Sequence, residues 1–144
     1  LTAGAWTLVN ASRADIIAGT FATAATFKVA LFTSTAAFTT ASTVYSTTNE
    51  LTTANGYTAG GVSVTLTETG TTSVAVYFVT NPTWTASGGS LVARYALLYA
   101  ATTPFHIVAF CLLDNTPADV TVTTGNTLTI KSDNTSSNPV YTMA

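Results

Sequence analysis

The sequence predicts an all-β chain: a single-domain β-sandwich, jelly-roll-like, with one short N-terminal helix. Three observations carry this expectation. Threonine fills 33 of the 144 positions, and a β-branched side chain suits a pleated strand better than a helix. Apolar residues recur with a period of two along most of the chain. The breaks between these runs have the chemistry of tight turns. A length of 144 residues fits one domain. A chain of this size buries roughly 68–70% of the surface its unfolded form exposes, so it needs neither metal nor disulfide to fold.

Residues 1–25 read differently from the rest. Asn10-Ala11-Ser12-Arg13-Ala14-Asp15-Ile16-Ile17-Ala18-Gly19 offers an Asn or Ser N-cap, several helix formers and a Gly stop. Leu1–Val9 before it reads as an extended arm with Trp6 and Leu8 as apolar anchors. Residues 26–144 then form the sandwich domain, ending in a C-terminal arm. Strands are expected at Phe27–Phe32, Val62–Leu66, Val74–Val79, Leu91–Tyr99, Ile107–Leu113 and Leu128–Lys131, with Val120 and Val122 marking another. Val140–Met143 would add an edge strand. Two segments, Leu91–Ala100 and Ile107–Leu113, are apolar on both faces, which suits a central strand or a subunit interface. Turns are expected at Asn55-Gly56, Gly60-Gly61, Glu68-Thr69-Gly70, Ser87-Gly88-Gly89, Thr103-Pro104, Thr116-Pro117 and Thr124-Gly125-Asn126. Thr33–Thr53 is the least patterned stretch and reads as a long loop with a short strand near Val44.

Charge excludes several functions. Only 7% of residues are charged and the net charge is −2. Arg13, Lys28, Arg94 and Lys131 are scattered singly, whereas nucleic-acid binding needs clustered cations on phosphates. No nucleic-acid or membrane partner is expected. No apolar run reaches the length of a membrane span, and no basic region precedes an apolar one at the start. Because the sequence opens at Leu1, its N-terminus is expected to be trimmed or processed. So few charges point to permanent assembly with much of the surface covered; the alternative is a monomer coated in Thr and Ser.

Catalytic and metal-binding chemistry lack their parts. His106 is the sole histidine and no Gly-x-Ser-x-Gly elbow accompanies it. Cys111 is the sole cysteine, set in an apolar run, so it reads as a small buried hydrophobe. One His and one Cys cannot make a His/Cys metal cluster. Asp114, Asp119 and Asp133 could meet through loops around calcium, but Asp beside Asn, Thr and Pro is ordinarily turn chemistry. No catalytic residue, metal or cofactor is expected. The candidate functional residues are instead interface anchors: Trp6, Leu8, Trp84, Tyr95, Tyr99, Val108 and Phe110, because aromatics dominate interfaces as they do cores.

The order of segments resembles a known group. Thr26-Phe27-Lys28-Val29-Ala30-Leu31-Phe32-Thr33-Ser34 follows the helix, then Asn55-Gly56-Tyr57-Thr58-Ala59-Gly60-Gly61 and Ala93-Arg94-Tyr95-Ala96-Leu97-Leu98-Tyr99. Ile107-Val108-Ala109-Phe110 and Thr124-Gly125-Asn126-Thr127-Leu128-Thr129-Ile130 complete it. Over residues 10–132 this resembles small all-β virion proteins of tailed bacteriophages, similar to head decoration or cement proteins. The helix lacks the charges of that group, and the end, Asn138–Ala144, lacks its Gly-containing tail. The resemblance implies a homo-oligomer, most simply a trimer, on the major capsid protein or another virion protein at the capsid surface, assembled in the host bacterial cytoplasm. It implies no catalytic residues. The arms Leu1–Val9 and Asn134–Ala144 would reach to capsid subunits. A tail, neck or fibre component is the second expectation. A surface carbohydrate-binding module with Trp84 or Tyr57 as platform is the third.

Overall fold

The computed structural model describes residues 2–22, 26–70, 73–132 and 139–143. The elements are β1 (Thr7–Leu8), α1 (Asn10–Ile17), a 3-10 turn (Thr20–Ala22), β2 (Phe27–Phe32), β3 (Val62–Val64), β4 (Leu66–Thr69), β5 (Val74–Phe78), β6 (Thr83–Thr85), β7 (Leu91–Ala93), β8 (Tyr95–Ala100), β9 (Ile107–Leu112), β10 (Val120–Val122), β11 (Thr127–Thr129) and β12 (Tyr141–Met143). The fold is all-β with one short helix. Every strand pair among the described residues is antiparallel. The largest sheet has the order β1-β9-β8-β2-β3; β12-β5-β4 forms a second, and β10-β7 and β11-β6 are two-stranded ribbons.

Two expected long strands are each divided at one residue, and the division moves the chain between sheets. Thr65 separates β3, which pairs with β2, from β4, which pairs with β5. Its carbonyl accepts the Val79 N–H at 2.9 Å. Arg94 separates β7, the partner of β10, from β8, the partner of β2 and β9. β6 was not among the expected strands; its three residues are too few to show a period.

α1 begins one residue earlier than a side-chain cap at Asn10 would give. Val9 is the N-cap, and the Ser12 hydroxyl donates instead to the Val9 carbonyl at 2.7 Å. Gly19 ends the helix as expected, at φ +73°, with its N–H on the Ile16 carbonyl.

The arm expectation for Leu1–Val9 is corrected. Residues 2–9 close the edge of the large sheet: Thr7 pairs with Phe110 and Leu8 with Ala109, and the Gly4 N–H donates to the Leu112 carbonyl at 2.9 Å. Val9 is fully buried. At the other end Tyr141–Met143 pairs with Val74–Val76 as the expected edge strand. Residues 134–138 of the proposed C-terminal arm lie outside the described residues.

β8 and β9 are covered on both faces by the chain itself. On one face Val29, Leu31, Ala96, Leu98, Ala109 and Cys111 pack with Phe78, Trp84, Leu91, Val120, Ile130 and Val140 from the other sheets. On the opposite face Ala30, Phe32, Leu97, Tyr99 and Ile107 pack beneath Val9, Ala36, Phe38 and Tyr45. The unpatterned Thr33–Thr53 segment is thus the lid of a second core. Of the two settings expected for these strands, a central position or a subunit interface, the chain itself supplies the cover of the first. Between Leu98 and Tyr99 the register shifts: Leu98 pairs with Ala109 and Tyr99 with Ile107, which leaves Val108 as the extra residue.

Candidate functional site

The seven proposed anchors scatter. Trp84, Tyr99 and Val108 are core residues, at 4%, 3% and 0% exposure, and have no surface to give a partner. Trp6, Leu8, Tyr95 and Phe110 are half-buried and already engaged. Trp6 meets Phe78 edge-on at 5.8 Å, and Phe38 contacts both Tyr95 and Phe110 at 5.6 and 5.8 Å. The glycan platform fails on the same ground, since Tyr57 is 2% exposed and tilts against Trp84 at 6.3 Å.

The most organised polar centre is one the sequence did not flag. Glu50 is buried, yet its carboxylate accepts three hydrogen bonds: Tyr57 Oη and the Gly60 N–H donate to Oε1, both at 2.6 Å, and Tyr45 Oη donates to Oε2 at 2.5 Å. Tyr57 Oη also accepts the Leu31 N–H at 3.0 Å. Tyr99 stacks on Tyr45 at 4.0 Å and donates to the Gly60 carbonyl at 2.8 Å. Burial first, then the hydrogen bond to Glu50, pushes the Tyr45 and Tyr57 hydroxyls well above the usual tyrosine range. Burial and the Glu50 charge also raise Tyr99, partly offset by its hydrogen bond with Tyr45.

The segment Asn55–Gly61 is shaped to build this centre. Asn55 and Gly56 both have positive φ, +55° and +89°, and Ala54 and Tyr57 exchange both main-chain hydrogen bonds around them. That is a type I′ turn, which selects Asn-Gly. It delivers Tyr57 inward. Gly61, at φ +71°, rests so close to β2 that a Cβ there would lie 1.9 Å from the Val29 carbonyl oxygen, which no side chain tolerates. The most distinctive stretch of the sequence therefore fastens the lid to the sheet. Three protein donors thus hold the Glu50 carboxylate in place, two on Oε1 and one on Oε2.

His106 forms the second polar contact of note. Its Nδ1 lies 2.7 Å from Asp15 Oδ2, joining α1 to the start of β9 across 91 positions of sequence. A carboxylate accepts, so Nδ1 carries the proton. This is the base–orienter half of a triad, but no hydroxyl or thiol hydrogen-bonds Nε2 among the described residues. Cys111 is buried, and burial pushes its thiol up to about 12, so it is not a nucleophile near neutrality. It lines an apolar cavity of about 270 Å³ with Trp6, Leu113 and Ile130.

The carboxylates proposed around calcium do not converge. Asp119 pairs with Arg94 Nε at 2.8 Å. Asp114 accepts the Thr116 N–H and hydroxyl, and these bonds lower its pKa. Asp133 lies outside the described residues. Among the described residues no three His, Cys, Asp or Glu side chains cluster as a metal site would require, and no helix is long and apolar enough to cross a membrane. Comparison with protein-family models, curated proteins and solved structures found no match.

Proposed function

We propose that this chain is a non-enzymatic structural protein of a bacteriophage virion, a decoration or cement protein that stabilises the head by packing on the major capsid protein. The observation that carries this reading is where the reactive side chains lie. Glu50, Cys111, His106 and Asp119 are each engaged within the fold. The reading is further supported by ten charged residues in 144, by the segments that resemble such proteins, and by exposed apolar side chains at Ile17, Val79 and Met143. We read the architecture as a sandwich, with the five-stranded sheet as one layer and the smaller sheets as the other, and the assembly as a homotrimer. A protein that binds the assembled shell in preference to its free subunits stabilises the shell by mass action. No cofactor, nucleic acid or membrane takes part.

Mass-spectrometric stoichiometry of purified particles tests the proposal. A copy number comparable to that of the major capsid protein is the expected result. One or a few rings per particle would instead make the chain a tail, neck or fibre component.

A further inference from the structure

Asn55-Gly56 is the only Asn-Gly pair in the sequence; every other asparagine precedes Ala, Glu, Thr or Pro. Such a pair carries its own chemistry, because no side chain on the second residue shields its nitrogen. The Gly56 nitrogen can attack the side-chain carbonyl carbon of Asn55. The bond from that carbon to Nδ2 then breaks, ammonia leaves and a five-membered succinimide remains. Water opens the ring at either carbonyl, giving aspartate or isoaspartate. The net change is one water taken up and one ammonia released, with no oxidant or cofactor.

The fold holds this pair in an unreactive shape. Both residues are exposed, so access of water does not limit the reaction. Conformation does. At φ +55° Asn55 is left-handed, and in that conformation Cβ lies against the residue's own carbonyl oxygen. The Gly56 nitrogen lies across the planar carbonyl carbon from that oxygen, so it points away from the Asn55 side chain. Ring closure needs the nitrogen on the side of Cβ. The 85–90 segment prevents that rotation. Asn55 Nδ2 donates to the Ser90 carbonyl and the Ser87 N–H donates to the Asn55 carbonyl, both at 3.0 Å. Gly89 leaves room for the amide, since a Cβ there would lie 2.5 Å from Asn55 Oδ1. Gly56 sits equally close, with its added Cβ 2.1 Å from the Thr85 carbonyl oxygen. The main chain at Asn55 can therefore turn only if the Ala54–Tyr57 turn lifts away, and Tyr57 then leaves Glu50.

We propose that Asn55 is a site of covalent ageing gated by the lid: it converts to isoaspartate when the Ala54–Tyr57 turn opens, and the product keeps the turn from closing again. In isoaspartate the main chain runs through Cβ and Cγ, which adds one methylene before the Gly56 nitrogen. A type I′ turn has a fixed two-residue loop, and here Ala54 and Tyr57 exchange both of their main-chain hydrogen bonds across it. The lengthened loop no longer sets Tyr57 Oη between Glu50 and the Leu31 N–H. The aspartate product differs. It loses the donor to the Ser90 carbonyl but keeps the main chain at its normal length, so the turn can still close.

The test follows deamidation of the full chain in mildly alkaline buffer by mass-spectrometric peptide mapping, with electron-transfer fragmentation telling isoaspartate from aspartate. In guanidinium chloride sufficient to unfold the chain, Asn55 should convert first among the asparagines. In the folded chain it should convert about tenfold or more slowly, because only the open fraction reacts. Tyr57→Phe removes the hydroxyl that ties the turn to Glu50 and Leu31, and should raise the folded-state rate about tenfold or more. Cys111→Ser, which loosens β9 and not the turn, should leave that rate within about twofold. Tyr45→Phe, with a smaller acceleration expected, replaces Tyr57→Phe if that variant does not fold. The isoaspartate form, separated by ion exchange, should unfold at lower urea than Asn55→Asp, which carries the same charge on a main chain of normal length. Equal rates in the folded and unfolded chain, or another asparagine reacting first in denaturant, would overturn the proposal. So would equal acceleration by Cys111→Ser, or identical unfolding of the isoaspartate form and Asn55→Asp.

Discussion

Replacing Tyr57 by phenylalanine isolates what holds the lid on the sheet. The ring stays and keeps its place against Trp84 at 6.3 Å; one oxygen is lost. That oxygen serves two buried partners: it donates to Glu50 at 2.6 Å and accepts from the Leu31 N–H at 3.0 Å. A hydrogen bond to a charged group contributes roughly 1.5–3 kcal/mol, and a buried N–H left without an acceptor costs about 1–3 kcal/mol. Tyr57→Phe should therefore destabilise the chain by about 2.5–6 kcal/mol, a large share of the roughly 5–15 kcal/mol that holds a domain of this kind together. Tyr45→Phe is the internal comparison. Its hydroxyl serves Glu50 on the more exposed side of the carboxylate and bridges no main-chain donor, so its loss should cost less, about 1–2 kcal/mol. Urea unfolding of the two variants, followed by tryptophan fluorescence and circular dichroism, gives both values on one scale. Combining each with Glu50→Gln should show non-additivity, because the pairs share a partner. A Tyr57→Phe penalty below about 0.5 kcal/mol, or one smaller than that of Tyr45→Phe, would refute the argument that this oxygen bridges lid and sheet.

Raised tyrosine hydroxyls predict alkaline sensitivity. An unfolded tyrosine releases its proton near pH 10, while Tyr57 in the fold holds on to it to higher pH. Above that point the unfolded state binds fewer protons, so stability should fall by about 1.4 kcal/mol per pH unit from Tyr57 alone; unfolding midpoints from pH 8 to about 11.5 check this, and a flat profile contradicts it. Deleting residues 1–9 should destabilise the fold by about 3 kcal/mol or more, since Val9 is fully buried and its side chain alone accounts for roughly 1.5–3 kcal/mol; an unchanged melting temperature would show that the segment is an arm after all. Cys111→Ser should cost about 1–3 kcal/mol by placing a hydroxyl among apolar neighbours. Labelling of the native thiol should occur only as fast as the chain unfolds, and rapid labelling by a thiol reagent at neutral pH would contradict its burial.

Most strands were legible because alternation of apolar and polar residues is a local signal. Phe27–Phe32 and Ile107–Leu112 could be read almost to the residue, the first from the alternation of Phe27, Val29 and Leu31, the second from its continuous apolar run. The Asn55-Gly56 turn was equally legible, because only a type I′ turn demands positive φ at two successive positions. The breaks at Thr65 and Arg94 were not. Thr65 leaves the alternation of Val62, Val64 and Leu66 intact, and Arg94 lies in a segment that is apolar on both faces and so has no period to break; what changes at each is which sheet the strand pairs with, and pairing is a property of distant residues.

The polar centre escaped the sequence for the same reason. Tyr45, Glu50, Tyr57 and Tyr99 form no motif, and the only carboxylate among them sits in a Thr-rich stretch that looks like solvent-facing loop. Sequence by itself determined the all-β character, the single helix, the inert placement of Cys111 and the small number of charges, because composition, period and turn chemistry act over a few residues. It also made β8 and β9 apolar on both faces. Only the tertiary structure decided what covers those faces. Residues 2–9 pair along β9, and the 33–53 segment folds over Phe32, Leu97 and Ile107. Whether a double-sided strand is buried within one chain or between two depends on where distant segments of low pattern come to rest, and that is settled by packing and by three hydrogen bonds to one buried carboxylate.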